Sequence, residues 1–318
     1  MSAESDFIAS LRGLASARAA RGLIDDAAVL EFGGAKLILT HDMIVEGVHF
    51  LADEAPGDVA WKLVAVNLSD LAGKGARPIG VLLGFSLRDD AAWDKGFADG
   101  LSSALQAFEL DLLGGDTVAI PSGAPRCLGL TAIGASTERV PSRSDAHAGE
   151  MIWVSGSIGD AGAGLRLAIG QGSARDELRA QLIERYRAPR PRLEAGWRLT
   201  PLVGAMMDIS DGLLIDASRL AEASGVRAII ELDSIPLSPA FLEVVGGDRA
   251  ARIKAATAGD DYELLFTAPP DVSGNIESLA AELGLPLTKV GRMEPGTGLA
   301  LLDAGEAVAL PDVLGFEH

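Results

Sequence analysis

Apolar positions crowd together from Asp58 to Pro78 with little polar relief. Leu63, Val64, Val66, Leu68 and Leu71 cover that stretch all round, which predicts a buried helix, not a surface one. Pro56-Gly57 breaks the chain before it and Asp58 is placed as its N-cap. Gly73 and Gly75 end it, and Pro78 blocks its return. Asn67 and Asp70 stand three apart and share a face. Asp70 falls in the last turn, where the helix dipole disfavours a carboxylate. Such an acid calls for a divalent cation beside it, or for solvent around a frayed end.

The pattern on either side predicts alternating strands and helices. Gly22–Leu30 reads as a turn and strand, with Asp25-Asp26 needing a cation between them or an Asx turn. Lys36–Thr40 is a strand ending in His41-Asp42, which puts hydroxyl and carboxylate oxygens at a sheet edge, a donor set suited to Mg²⁺. His41 and His49 lack the spacing and the cysteine partners of a zinc site. Ile79–Leu87 is a buried strand. Residues 89–108 form a helix whose Trp93, Phe97, Leu101, Leu105 and Phe108 are a packing stripe. Gly114-Gly115-Asp116-Thr117 is a close backbone approach to a ligand or a plain hairpin turn. Arg126–Ala135 closes the first half as a strand.

Pro141–Gly149 is polar and turn-rich, and marks a boundary between domains spanning 1–140 and 148–318. Met151–Val154 is a strand. The glycine loop Ser155–Leu165 then runs into a helix, an anion-cradle geometry without a Walker A sequence. Residues 176–200 are helical, broken by Pro189 and Pro191. A short strand ends at Asp208, and Ser210 caps a helix running to Ala223. Asp208 and Asp211 flank that cap, and Asp216 is a solvated acid one turn further in. Ile229–Leu232 and Ala258–Thr267 are strands, the second opening on Asp260-Asp261. From Val272 the chain runs helix, strand, strand, to a tail carrying Phe316.

Composition narrows the function. A net charge of -18, from 45 acidic and 27 basic residues, excludes a nucleic-acid partner. If the ligand is a phosphate, metal ions must offset the repulsion. The single cysteine, Cys127, rules out an internal disulfide. It lies in a strand pattern, where a structural thiol is expected. Met1–Ala20 reads as a short amphipathic helix, not a signal peptide, and no apolar run is long enough to cross a bilayer. The expectation is a cytoplasmic protein with no membrane partner.

Taken together and in order, the acids form a specific set. Asp25-Asp26, Thr40-His41-Asp42 with Glu46–Phe50, Asn67–Asp70, Gly114–Thr117, Arg143-Ser144, Asp208–Gly212 and Gly259–Leu264 resemble the motifs of the bacterial thiamine-monophosphate kinase family. That family lies in the aminoimidazole ribonucleotide synthetase (PurM-like) superfamily, and the resemblance covers nearly the whole chain. It implies an α/β (α+β) two-domain PurM-like fold. The N-terminal α/β domain binds ATP and magnesium and pairs its sheet across a homodimer. The C-terminal α+β domain binds substrate. It implies transfer of the terminal phosphoryl of ATP to thiamine monophosphate, with several Mg²⁺ ions. Position by position, Asp26, Thr40, His41, Asp42, Asp70, Asp116, Asp208 and Asp211 match metal positions. Gly115, Asp116, Arg143 and Ser210 match nucleotide contacts, and His49, Asp260 and Phe316 match substrate contacts. Asp70, Asp116 and Asp211 are the catalytic candidates. His41 departs from the hydroxyl residue usual there, so that ligand is a backbone carbonyl or one metal site is altered. Selenophosphate synthetase, another member of the superfamily, would need a reactive Cys or selenocysteine near the N-terminus, and no cysteine precedes Cys127. A nucleotide-binding scaffold without turnover is the non-enzyme alternative.

Overall fold

The computed structural model describes residues 3–317. A short helix α1 (Ala3–Leu11) leads in, ending sooner than the sequence suggests. The first sheet has the order β1-β2-β5-β3-β4, with β1 Ala28–Phe32, β2 Ala35–Val45, β3 Arg77–Leu87, β4 Asp111–Ala119 and β5 Cys127–Ser136. Helix α2 (Pro56–Gly73) joins β2 to β3. Helix α3 (Ala91–Ala107) is the crossover that lets β4 run parallel to β3, while the other pairs are antiparallel. Alternation sets the core face: Leu128, Leu130 and Ala132 of β5 point inward with Ile38, Thr40 and Ile44 of β2. The aromatic stripe of α3 packs there, with Phe97 stacked on Trp93 and Phe108 against Trp61. Cys127 is a free, half-buried thiol opening β5.

The second sheet has the order β12-β11-β8-β10-β6-β9-β7. Its strands are β6 Met151–Ser155, β7 Met206–Ile209, β8 Arg227–Glu231, β9 Glu263–Ala268, β10 Leu287–Glu294, β11 Gly298–Asp303 and β12 Glu306–Val308. Around it lie α4 Asp160–Ala168, α5 Asp176–Arg187, α6 Leu193–Leu199, α7 Leu213–Ser224, α8 Pro239–Val244, α9 Arg249–Ala256 and α10 Ser273–Leu283. Among the described residues no helix is long and apolar enough to cross a membrane.

Helix α2 touches both sheets. It packs on β2 and β5 on one side and on β7 and α6 on the other. Every residue from Val59 to Gly73 except Trp61 is buried. At Gly73 a Cβ would lie 3.0 Å from the amide nitrogen of Asp208, so glycine is what lets the helix end abut β7.

Several expectations need correction. Asp58 lies in the first turn of α2, behind Pro56, and is not the N-cap. The strand does not stop at Thr40 but runs on to Val45; Thr40-His41-Asp42 pair with β5 alone, since β1 reaches only Leu39, so they do lie on a locally open edge of the sheet. Gly114–Thr117 forms no turn: it is part of β4, extended and exposed. The loop before α4 cradles no free anion site, because the Asp261 carboxylate accepts from the amides of Gly159 at 2.6 Å and Ala161 at 3.3 Å. Ser210 does not cap α7. Asp216, read as solvated, is fully buried and accepts from the amides of Ser210, Asp211 and Gly212 at 3.1–3.2 Å. One aspartate thus holds the whole loop before α7, doing by back-reach what an N-cap does from in front.

Candidate active site

The polar residues of α2 build the site. Asn67, Asp70 and Lys74 are spaced i, i+3, i+7 and form one stripe, with Lys74 just past the last turn. Asn67 Nδ2 donates to Leu63 O at 2.9 Å, and its Oδ1 accepts from the Asp42 amide at 2.9 Å, which ties β2 to the helix. The Thr40 hydroxyl donates to Asp70. Because Thr40 and Asp42 are two apart on a strand, both face α2.

The end of β7 brings Asp208 to the same place. One carboxylate oxygen each from Asp26, Asp70 and Asp208 lies within 4.8 Å of the others. These acids come from a loop, a helix and a strand spread across both halves of the chain. Asp42 is near enough to repel them, and Asp211 is near enough to repel Asp42. Burial, reinforced by Asp26 and Asp211, pushes the Asp42 carboxyl up to about 6. Burial and Asp26 push Asp208 up to about 8, and burial with Asp42, Asp208 and Asp26 holds Asp70 well above the usual range.

Cations surround part of this cluster. Lys74 is fully buried, hydrogen-bonds Asp25 and approaches Asp26 Oδ2 at 2.6 Å. Lys74 and Arg21 outweigh the effect of burial on Asp25 and hold its carboxyl below the usual range. Arg143 pairs with Asp26, while Arg219 pairs with Asp211 and reaches Asp216 at 3.1 Å. Ser210 lies beside them in the loop before α7. The donor set suits a hard divalent cation: close carboxylates, most with their charge disfavoured by burial. Asp26 Oδ2 is buried and accepts no regular hydrogen bond, meeting only the charge of the Lys74 ammonium at 2.6 Å.

Beside the acids lies a second polar group. Asp260 and Tyr262 both have positive φ, 70° and 49°, a strained backbone held by hydrogen bonds from their amides to Ser210 O and Ile209 O at 2.8 Å each. Lys62, one charge inside the apolar helix, reaches Asp260 at 3.2 Å and His49 O at 2.9 Å. Its ammonium also sits 4.0 Å from the centre of the Tyr186 ring. His49 Nδ1 accepts from the Val45 amide at 3.1 Å, which leaves its ring proton on Nε2. Lys62 and Asp70 are about 12 Å apart along the helix at 1.5 Å per residue. The Phe316 amide donates to Asp211 O at 2.9 Å, so the tail docks on the acid-bearing loop.

Three named residues stay outside this grouping. The side chain of His41 alternates to the far face of the sheet, where Nδ1 meets Thr131 Oγ1 at 2.8 Å. It is not among the clustered acids. Gly115 and Asp116 lie on β4, three strand spacings from β2, roughly 14 Å across the sheet. Within one chain they do not join the cluster. Lys62, Lys74, Arg219 and Tyr186 were missed from sequence. The only signal for the two lysines was a charge in or at the end of an apolar helix.

In chelator the raised acids set a pH dependence. Asp42, Asp208 and Asp216 (the last pushed up to about 6 by burial and Asp211) hold their protons to higher pH folded than unfolded. The folded state then binds more protons, so stability falls as pH rises. The unfolding midpoint of metal-free protein is expected to drop between pH 5 and pH 8.5. A midpoint that rises over that interval in a thermal scan would contradict these shifts.

Two α/β halves meeting over one helix, with acids drawn from both, define an AIR synthase-like protein. Residues 24–136 match the AIR synthase related protein N-terminal domain family, and residues 147–304 match its C-terminal domain family. The thiamine-monophosphate kinase of Caulobacter vibrioides is 38% identical over 303 residues, covering 93% of this chain and 84% of that protein. The Escherichia coli protein of the same name is 37% identical over 302 residues, covering 93% and 91%. The solved thiamine-monophosphate kinase of Stenotrophomonas maltophilia aligns with a TM-score of 0.79 at 38% identity, covering 95% of this chain and 96% of that one. A solved AaThiL complexed with AMPPCP and TMP aligns with a TM-score of 0.83 at 29% identity, covering 95% and 93%. The chain belongs to the thiamine-monophosphate kinase family.

Proposed function

We propose that this protein transfers the γ-phosphoryl group of ATP to thiamine monophosphate, giving thiamine diphosphate and ADP. The observation that carries the reading is the convergence of Asp26, Asp70 and Asp208 from both halves of the chain within 4.8 Å. An acid cluster so placed brings two polyanions together only through bound cations. Magnesium held by Asp26, Asp42, Asp70, Asp208 and Asp211 would neutralise phosphate oxygens and aim them in line. Thr40 orients the Asp70 carboxylate, and Asn67 fixes the strand that carries Asp42.

Residues 1–140 serve as the nucleotide- and metal-binding half, and 148–318 as the substrate half. Arg143 and the loop at Ser210 border the nucleotide phosphates. His49 and Asp260 hold the acceptor, with Lys62 and Tyr186 behind them. Phe316 reaches the acceptor from the tail. An oxygen of the acceptor phosphate attacks the γ-phosphorus as the bond to the ADP oxygen breaks. No general base is required, since a phosphate monoester with a second pKa of about 6 is already ionised.

The working unit is a homodimer, consistent with a strand that no single chain covers. All of β4 is exposed, and Leu112, Leu113 and Val118 are about half exposed along it. Gly115 and Asp116 act from that edge in the dimer. The testing experiment mixes protein, ATP, MgCl₂ and thiamine monophosphate and separates the products. Thiamine diphosphate with equimolar ADP is expected. Orthophosphate in place of thiamine diphosphate would refute direct transfer.

A further inference from the structure

Lys74 stands where a metal ion would be expected. Its ammonium is fully buried. Its partners are all oxygens: the carboxylates of Asp25 and Asp26 and the carbonyl of Met206 at 3.2 Å. That is the donor set of a hard divalent cation, filled here by a side chain on a tether. The tether is short and fixed, because Lys74 is the C-cap of α2, where a cation also complements the helix dipole. Asp26 Oδ2, which faces the ammonium, accepts no regular hydrogen bond, so the contact is charge against charge. Arg21 also pairs with Asp25 and Arg143 with Asp26 from the two outer sides, while the lysine alone bridges the two carboxylates.

We propose that the Lys74 ammonium is a built-in cation of the active site, occupying at Asp25 and Asp26 a place that a divalent ion would otherwise take. The chain therefore binds one metal ion fewer than its carboxylates would hold without the lysine. This rests on the reading above that the acids bind metal, but not on the identity of the phosphate acceptor.

The test counts Mn²⁺ bound to the full-length protein, without substrate, from the free-ion electron-paramagnetic-resonance signal. Lys74→Met is expected to bind one Mn²⁺ more per chain than the unaltered protein. It should unfold at a lower temperature in chelator and recover most of that loss when Mn²⁺ is added. Lys74→Met combined with Asp25→Asn removes one charge of each sign, so it should fold and return to the original count. An unchanged count in Lys74→Met would overturn the proposal. So would a Lys74→Met protein that stays unfolded at every Mn²⁺ concentration, since a metal ion could then not replace the lysine. Absence of thiamine diphosphate formation by the unaltered protein, alongside a raised count in the variant, would remove the proposed substrate and leave this inference standing.

Discussion

Asp208→Asn is expected to lower kcat for thiamine diphosphate formation about a thousandfold, on the scale of removing one group that stabilises transition-state charge. The same change is expected to raise the unfolding midpoint of the metal-free protein. Both follow from one side chain. Asp208 is buried at the end of β7, and burial with Asp26 pushes its carboxyl up to about 8. Without metal, folding must either bury this charge or take up a proton to neutralise it, and the near-isosteric amide removes that cost. About 2 kcal/mol gained would appear as roughly 4 °C in a protein of this size. With Mg²⁺, the amide is a neutral and poorer ligand, so charge neutralisation of the phosphates fails. A residue that merely supported the fold would lose activity and stability together. Near-normal kcat at saturating Mg²⁺ would remove Asp208 from the metal site.

Glu263→Gln is expected to cost about 3 kcal/mol of stability, the scale for breaking one partner out of a buried ion pair. Glu263 is fully buried at the start of β9. Its carboxylate accepts from Ser155 Oγ at 2.6 Å, from Arg185 at 2.8 Å and from Arg192 through both oxygens. The two arginines bracket the Ala188–Pro191 turn between α5 and α6. That turn is also held by Trp61 of α2, whose indole donates to Pro189 O at 2.9 Å. An amide puts two hydrogens where donors already point and leaves two guanidinium groups without their counter-charge. Both arginines keep some solvent contact, with about a fifth of each side chain exposed, so the lower end of the range applies. A urea-denaturation loss below about 1 kcal/mol would mean the carboxylate is not what anchors the turn.

The acids that matter were legible because they interrupt apolar runs or sit where a strand hands over to a helix. Asp70 in α2 and Asp208 at the end of β7 are such cases. What was hidden depended on distance along the chain. Asp261 fills the helix start at Gly159, and no local pattern in either segment predicts the other. Asp216 looked like a surface acid because its partners are the amides of its own preceding loop, reached backwards. Gly114-Gly115 looked like a turn because two glycines break most strands. They are tolerated in β4 because it is an edge strand held by pairing to β3. The face of His41 followed from the period of two along β2, but only once the strand was known to run through it.

Helix α2 belongs to the first sheet by sequence and to both by contact. The polar linker around residues 141–149 invites a cut that would give two tidy halves. Yet the half ending there would present the C-terminal turns of α2 to water, stripped of β7 and α6, and would leave Trp61 near the start of the helix without the turn at Pro189. Its partner would expose the groove those turns fill. Neither fragment is therefore expected to fold on its own. The two halves are expected to unfold as one cooperative unit, since loss of either sheet uncovers the helix that carries Asp70.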